Sequence, residues 1–393
     1  MDTNFFMISF NNTENAFKAK TNSGLVQSYW LFKIISNPIM VKLGAKLGPL
    51  ALTIGFKNLI KKTIFKQFVG GENIHDCELT IAELAKYNIG TILDYSVEGK
   101  ENESDFDHCL NETLETIQKA KKDANIPFCV FKITGIARFE ILEKVSAKIN
   151  LTTEEEDEWQ KVKNRVNKIC LSALENNQAI LIDAEESWIQ NAIDELANTN
   201  MLICNKSKII VYNTFQLYLA DRLNYFKVSL DQAKTNGYRL GAKLVRGAYM
   251  EKERARAIEM NYQSPIHNNK EATDQDFDEA INFCINNIDN MAICAGTHNE
   301  NSSTLLLNLM EQKNISPNDK RIYFSQLLGM SDHISYNLSL NGYNVAKYVP
   351  YGPVKEVLPY LIRRAQENTS VKGQTGRELN LIIKEKKRRS NLK

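Results

Sequence analysis

Near the end of the chain, charged and aromatic residues have the spacing of one helix face. After the turn-like segment PYGP (350–353), the sequence predicts a helix with the second proline suited to its first position. One face of this helix carries four residues at i, i+3, i+4 and i+7: Tyr360, Arg363, Arg364 and Glu367. Two adjacent guanidinium groups suit a carboxylate or a phosphate. A solvated face with an Arg363–Glu367 ion pair explains the spacing equally well, so the rest of the chain has to decide.

Eight short apolar segments predict the strands that would position such a helix. They are Gly90–Ser96, Pro127–Thr134, Ala179–Ala184, Ile209–Thr214, Arg239–Arg246, Ala292–Thr297, Ile322–Leu327 and Val345–Val349. The helical segments between them include Asp107–Ala124, Glu155–Asn176, Glu186–Ala197, Phe215–Thr235 and Asp276–Asn290. Helices between successive strands predict parallel strands with right-handed crossovers. Eight such units indicate a closed (β/α)8 barrel, with a doubly wound sheet as the alternative, which the missing Gly-x-Gly-x-x-Gly motif disfavours.

Polar residues stand at the end of nearly every predicted strand. In a barrel these ends form the face that carries active sites, and charged groups there are costly unless they are paired or used. The set includes Asp94, Lys132, Asp183, Gln216, Lys243, Arg246, Thr297, His298, Asn299, Gln326 and Tyr348. Its cations and amides suit anions such as a cofactor's pyrophosphate and a substrate's carboxylate. A Schiff base on Lys132 is the mechanistic alternative, and an ion pair with Asp183 is the simpler explanation of that lysine.

Composition favours a protein with a large core and reduced thiols, and it disfavours nucleic-acid binding and a metal site. With 393 residues and 43% hydrophobic residues, the chain can bury a large core, and a net charge of +2 gives no field that would recruit nucleic acid. Its seven cysteines include no Cys-x-x-Cys pair, which predicts reduced thiols and a cytoplasmic location. The sequence also predicts no metal site, because its five histidines are scattered and no His/Cys cluster occurs.

Both ends of the chain are rich in lysine. Residues 1–75 read as a helical arm, and because no arginine precedes Arg138 a mitochondrial transit peptide is not expected. The apolar segment Val41–Phe56 is too short and too interrupted by lysine to span a bilayer, so it either packs on the domain or rests on a membrane surface. The basic run Lys384–Arg389 predicts a solvated or frayed end with weak attraction to anionic lipid.

Several longer motifs stand in order at successive strand ends: KLVRGAYMEKERARA (243–257), GTHNENSS, QLLGMSDHIS, KYVPYGPVKEVLPYL and RRAQEN. Through them, the chain from Thr91 to Ile383 resembles the proline dehydrogenase family of FAD-dependent (β/α)8 enzymes. The resemblance implies a monofunctional enzyme, with a catalytic barrel over residues 76–393 and the last helix over the barrel mouth. It also implies oxidation of L-proline to Δ1-pyrroline-5-carboxylate by hydride transfer from C5 to flavin N5. Electrons would pass to a quinone, which implies peripheral contact with the inner face of a membrane.

The resemblance also assigns roles to individual residues. For the substrate pocket and catalysis it implies Lys132, Asp183, Tyr348, Tyr360, Arg363, Arg364 and Glu367. For the cofactor it implies Asp183, Ala184, Gln216, Lys243, Val245, Arg246, Gly247, Ala248, Tyr249, Lys270, Thr273, Thr297, His298, Asn299, Gln326 and Tyr348. Many bacterial members have arginine and lysine where this chain has Lys243 and Arg246, so the bidentate arginine contact near flavin N5 is not expected here. A related FAD barrel that acts on a folate and a noncatalytic interaction domain are the alternatives.

Overall fold

Eight parallel strands form a closed barrel in the order in which they occur along the chain. The computed structural model describes residues 8–53, 55–97, 99–370 and 374–392, and of these the side chains of 49–53, 367–370 and 374–375 lie outside the description. The strands are β1 Ile89–Tyr95, β2 Phe128–Phe131, β3 Ala179–Ile182, β4 Val211–Gln216, β5 Leu240–Val245, β6 Met291–Gly296, β7 Ile322–Leu327 and β8 Val345–Tyr351. Each overlaps one of the eight predicted segments, and the predicted (β/α)8 barrel is confirmed.

Seventeen α-helices are assigned in the described part of the chain. They are α1 Thr13–Ala16, α2 Asn22–Ile35, α3 Pro38–Thr53, α4 Lys57–Ile60, α5 Lys66–Phe68, α6 Glu78–Ala85, α7 Glu103–Lys121, α8 Phe139–Ser146, α9 Thr153–Glu175, α10 Ser187–Cys204, α11 Arg222–Thr235, α12 Met250–Glu259, α13 Lys270–Asn286, α14 Glu300–Gln312, α15 Asp332–Leu340, α16 Val354–Ser370 and α17 Gln374–Ser390. A π-helical turn, Lys61–Phe65, joins α4 to α5, and 3₁₀ turns lie at Ile133–Gly135 and Ile288–Asn290. The prediction that a helix begins at Phe215 is wrong, because Phe215 is a fully buried residue of β4 and the helix begins at Arg222.

Contacts divide the chain into two compact units: Ile92–Ser325, called the central unit here, and Met1–Thr91 with Gln326–Lys393, called the terminal unit. In the central unit the aromatic rings of Phe128, Tyr212 and Tyr323 meet edge to face near the amino ends of their strands. The Phe128 ring lies 5.4 Å from that of Tyr212 and 4.9 Å from that of Tyr323. Apolar rings therefore fill this end of the strands, and the polar residues are left to the carboxyl ends.

The terminal unit has a hydrophobic core of its own, built from both ends of the chain. Its buried side chains include Phe17, Phe32, Phe68, Val357 and Leu381. Most described residues between 13 and 68 lie in α1–α5 and the π-helical turn, as predicted, whereas the division of the chain at residue 75 stays a prediction. None of the helices in the described ranges is both long and apolar enough to cross a membrane.

The predicted frayed end at Lys384–Arg389 is wrong, although Lys384 and Lys387 are exposed to solvent as the other alternative predicted. These residues form part of α17, where the carboxylate of Glu385 is fully buried and accepts hydrogen bonds from Arg388 and Arg389. Arg389 also donates to the backbone oxygen of Phe17 over 2.8 Å. The run is helical because its apolar and acidic residues recur at helical spacing, which the count of basic residues concealed.

Candidate active site

Two lysines and two aspartates form a buried network at the carboxyl ends of strands in the central unit. Lys243 Nζ donates to Asp183 Oδ1 over 2.5 Å, and Lys132 Nζ lies 3.3 Å from Asp183 Oδ2. Lys132 Nζ also lies 3.5 Å from Asp94 Oδ2. Asp183 therefore joins the two ammonium groups, and the predicted pairing of Lys132 with Asp183 is confirmed.

The second carboxyl group of this network, Asp94, is 1% exposed. Burial raises the pKa of the Asp94 carboxyl above its usual value, the Lys132 ammonium opposes that rise, and the charge of Asp183 adds to it. Its Oδ2 accepts a short hydrogen bond from the hydroxyl of Ser96, while its Oδ1 has no hydrogen-bond partner. The sequence places Asp94 at a strand end but assigns it no role, because neither its burial nor its neighbours can be read from local spacing.

The carboxylates around Lys132 disfavour the alternative in which this lysine forms a Schiff base. A Schiff base requires a neutral amine, whereas carboxylates at 3.3 and 3.5 Å stabilise the ammonium form of Lys132. The geometry therefore favours a charged binding group at this position over a nucleophile.

The other cation of the KLVR segment, Arg246, has a different environment. Its guanidinium group donates to Asp274 over 2.6 Å, to the hydroxyl of Thr297 over 2.7 Å and to that of Ser302 over 2.9 Å. It also lies over the ring of Phe277, 4.3 Å from the centroid. Arg246 is thus held among α13, α14 and the end of β6, whereas Lys243 joins the Asp183 network.

The loop after β5 contains a glycine that no other residue could replace without strain. Gly247 has a φ of 146°, and a Cβ at this position would meet the ring of Tyr218 at 2.4 Å. The next residues, Ala248 and the buried Tyr249, lead directly into α12. The missing side chain therefore lets the Gly247 backbone pack directly against the Tyr218 ring.

The remaining predicted cofactor residues of the central unit differ in how far their side chains are buried. Gln216 is buried and donates to the backbone oxygen of Glu185 over 2.7 Å. Thr273 is also buried, whereas Lys270 is about half exposed and its ammonium binds Asp274. Asn299 caps α14 by accepting hydrogen bonds from the first backbone amides of that helix. Ala184 and Val245 are apolar residues at the ends of β3 and β5, and the half-buried His298 lies between Thr297 and Asn299.

Glu185 is a buried acid that the sequence placed at a strand end without a role. Its carboxylate accepts from the backbone amide of Thr134 over 3.0 Å and from the Thr134 hydroxyl. Because Thr134 follows Lys132 by two residues, this pair of contacts anchors the segment that carries the lysine. Glu185 is therefore best described as a positioning residue.

In the terminal unit, α16 carries the predicted anion-binding face. Arg364 is 8% exposed, and its guanidinium carbon lies 5.3 Å from the centroid of the Tyr360 ring. Arg363 is half-buried beside it, and Tyr360 and Tyr348 are both buried. The side chain of Glu367 lies outside the described residues, so its predicted role stays a prediction.

The terminal unit also contains polar contacts that hold the ends of β7 and β8. Gln326 accepts from the hydroxyl of Ser335 over 2.8 Å. Lys347 is fully buried, and its ammonium lies 2.9 Å from Asp332 and donates to the backbone oxygen of Met330. Although burial acts to raise it, the Lys347 ammonium holds the pKa of Asp332 below its usual value. The sequence missed this pair, because a lysine inside a strand gives no sign of the carboxylate that it meets.

Two curated relatives of this chain have the same name. Proline dehydrogenase 1, mitochondrial, of Dictyostelium discoideum is 32% identical over 428 residues, which cover 96% of this chain and 74% of that protein. The protein of the same name from Caenorhabditis elegans is 35% identical over 368 residues, or 89% of this chain and 58% of the relative.

A solved structure supports the fold, and a family profile shows the family. Proline utilization A from Bdellovibrio bacteriovorus, solved after inactivation by N-propargylglycine, matches with a TM-score of 0.73 at 19% identity, over 92% of this chain and 38% of that one. The chain thus spans less than half of that solved structure, which at this identity supports the fold alone. Residues 77–377 match the family described as proline dehydrogenase. With most of its length inside that match, the chain belongs to the proline dehydrogenase family, whose members oxidise proline.

Proposed function

We propose that this chain oxidises L-proline to Δ1-pyrroline-5-carboxylate with FAD as the hydride acceptor and a quinone as the final electron acceptor. The observation that carries the proposal is the buried Lys132–Asp183–Lys243 network. It places two ammonium groups on one carboxylate at the carboxyl ends of barrel strands. Burying three charged groups is costly, and such a cluster at the catalytic face of a barrel supports a binding role.

FAD fits the donor chemistry of the central unit. Ammonium, hydroxyl and amide donors at the ends of β2, β5 and β6 suit an anionic cofactor with ring acceptors. When bound, FAD supplies through its N5 the acceptor for the hydride that leaves C5 of proline. In this proposal Lys243 contacts the flavin and Asp183 fixes the position of the lysine.

The adjacent arginines of α16 bind the carboxylate of proline in this proposal. A guanidinium group that is already buried and stacked on Tyr360 loses little conformational freedom when it binds, so Arg364 is well suited to fix the orientation of a small substrate. Arg363 supplies a second guanidinium on the same helix, and Tyr348 contributes a buried aromatic surface.

Anaerobic titration of the purified protein tests the proposal. We expect bound FAD to bleach on addition of L-proline and to recover its absorbance with a short-chain quinone. Bleaching by a reduced folate but not by proline would favour the folate alternative. A protein that cannot take up FAD would contradict the proposal and favour the noncatalytic alternative.

A variant separates substrate binding from cofactor binding. Arg364→Ala should leave the flavin spectrum unchanged and raise KM for proline at least about 30-fold, because losing a charge-assisted partner of a buried carboxylate costs roughly 2–5 kcal/mol. Arg239→Ala is the matched control, because this arginine is exposed and its guanidinium group donates to the backbone oxygen of Ser207. Equal KM values for the two variants would remove Arg364 from the substrate site.

A quinone acceptor would determine where in the cell the protein acts. A quinone with an apolar tail is held in a bilayer, so the proposal includes peripheral contact with the inner face of a membrane, from the cytoplasmic side. All seven cysteines are buried free thiols, which is compatible with a reducing compartment.

A further inference from the structure

We infer that the outer faces of α2 and α3 form a docking surface for an anionic lipid bilayer. On α2 the side chains of Val26, Trp30 and Ile34 recur every four residues and are 41%, 55% and 48% exposed. They therefore form one stripe along the helix. The opposite face of α2 is buried and includes Leu25, Phe32 and Ile35.

The same division into two apolar faces occurs on α3. Ile39, Leu43 and Leu47 lie on one stripe and are 75%, 50% and 45% exposed, while Val41 on the other face is buried. Exposed apolar residues are ordinary when they are scattered, but a repeated stripe on two consecutive helices marks an interaction surface. For the segment Val41–Phe56 the sequence left two alternatives, packing on the domain and resting on a membrane. Each alternative thus describes one of two opposite faces of α3.

The positive charge around the two stripes indicates that the partner of this surface is an anionic bilayer. Residues 15–71 contain no aspartate or glutamate and nine lysines: Lys18, Lys20, Lys33, Lys42, Lys46, Lys57, Lys61, Lys62 and Lys66. Lys33, Lys42 and Lys46 are exposed beside the apolar stripes. Lys57 and Lys61 are instead paired with Glu72. An apolar stripe flanked by lysine suits the boundary between acyl chains and acidic headgroups, where tryptophan is also favoured.

A second copy of the chain is a poorer occupant. In a symmetric dimer the same patch meets itself, so the lysines of one copy would face the lysines of the other with no acid in residues 15–71 to neutralise them. Anionic headgroups neutralise those charges while the stripes are covered. The surface therefore complements a lipid and repels its own copy.

The docking surface is joined to the predicted substrate-binding helix. A Cβ built on Gly48 of α3 would lie 3.6 Å from a methyl carbon of Leu358 on α16. This close packing lies within the terminal unit, and α16 is the helix that carries Arg363 and Arg364. A membrane-bound α3 would thus bring the substrate-binding helix to the bilayer surface.

Vesicle co-sedimentation of the full chain tests the inference without reference to its activity. We expect binding to vesicles of phosphatidylcholine with about one-third phosphatidylglycerol and little binding to phosphatidylcholine alone. The double variant Lys42→Glu/Lys46→Glu should bind the anionic vesicles at least about tenfold more weakly, because each lysine near an anionic surface contributes about 1 kcal/mol. The matched control is Lys121→Glu/Lys122→Glu, which makes the same charge change at exposed residues of the central unit.

The apolar stripe has its own variant and readout. Trp30→Ser/Leu43→Ser replaces exposed side chains and should weaken vesicle binding while the thermal unfolding temperature stays within about 2 °C of wild type. Trp30 is exposed, whereas Trp159 is buried and Trp188 is half-buried, so an emission blue shift that wild type shows on vesicle addition and Trp30→Ser/Leu43→Ser lacks reports insertion of the stripe. Equal binding to both vesicle types, or equal loss in the control, would overturn the inference. So would a concentration-dependent dimer that Trp30→Ser/Leu43→Ser abolishes, with no vesicle binding.

Discussion

Replacing Asp183 with asparagine tests whether this residue is the centre of the buried network. The change removes one negative charge and almost no volume. Lys243 then loses the carboxylate oxygen at 2.5 Å, and Lys132 loses the one at 3.3 Å but keeps Asp94 at 3.5 Å. Two ammonium groups are left near a carboxyl group whose pKa burial already raises.

The size of the effect follows from the cost of breaking a buried ion pair, which is about 3–5 kcal/mol. For a chain of 393 residues the unfolding entropy near the midpoint is roughly 0.8 kcal/mol per kelvin. If the chain unfolds cooperatively, the loss of stability lowers Tm by about 4–6 °C.

Asp94→Asn is the matched control, because it makes the same chemical change in the same network. Lys132 keeps Asp183 as a partner in that variant, and the removed carboxyl group has one oxygen without a hydrogen bond. We therefore expect a change in Tm of less than about 2 °C. Differential scanning calorimetry of wild type and both variants at pH 7 is the measurement. Equal shifts for the two variants, or no shift for Asp183→Asn, would refute the reasoning.

Two further predictions concern titration and backbone strain. Glu378 is buried, and burial raises the pKa of its carboxyl group above the usual 4.5. The protonated carboxyl group therefore contributes stability that is fully present below pH 4.5 and is lost as the pH rises through the raised pKa. Glu378→Gln keeps an oxygen acceptor for the Ser331 amide and should flatten the dependence of Tm on pH above about pH 4.5. An unchanged slope would show that Glu378 does not titrate there. Gly247→Ala should destabilise by more than the strain of about 1–3 kcal/mol, because its Cβ also meets the Tyr218 ring at 2.4 Å. Gly237→Ala is its control, with a φ of 67° and nothing within 4 Å of the new atom, and equal losses of Tm would contradict the steric argument.

Local pattern was enough to predict the elements of this fold. All eight strands were found because short apolar runs with β-branched and aromatic residues differ in period from the helices between them. The start of α9 could also be read, since Thr152 and Glu155 form the capping box that their spacing predicts. The parallel barrel follows from this alternation, since eight strand–helix units in succession close with the same crossover each time.

Local pattern could not predict which residues far apart in the sequence form ion pairs and hydrogen bonds. Lys243 and Arg246 are three residues apart, yet one binds Asp183 and the other Asp274, because side chains three positions apart along a strand point to opposite sides. The C-terminal basic run looked like a frayed end, although Arg389 secures it to the N-terminal segment by donating to the backbone oxygen of Phe17. Each of these contacts joins segments that lie far apart in the sequence.

The sequence by itself determined the strands, the helices, the barrel and the types of residue at the strand ends, because hydrophobic period and residue chemistry are local properties. Only the tertiary structure decided which carboxylate each lysine meets, that Asp94 is buried with a raised pKa, and that α2 and α3 each keep an apolar face exposed. The physical reason is that burial and electrostatic interaction depend on distances in space, and those distances are set when strands far apart in the chain come into register.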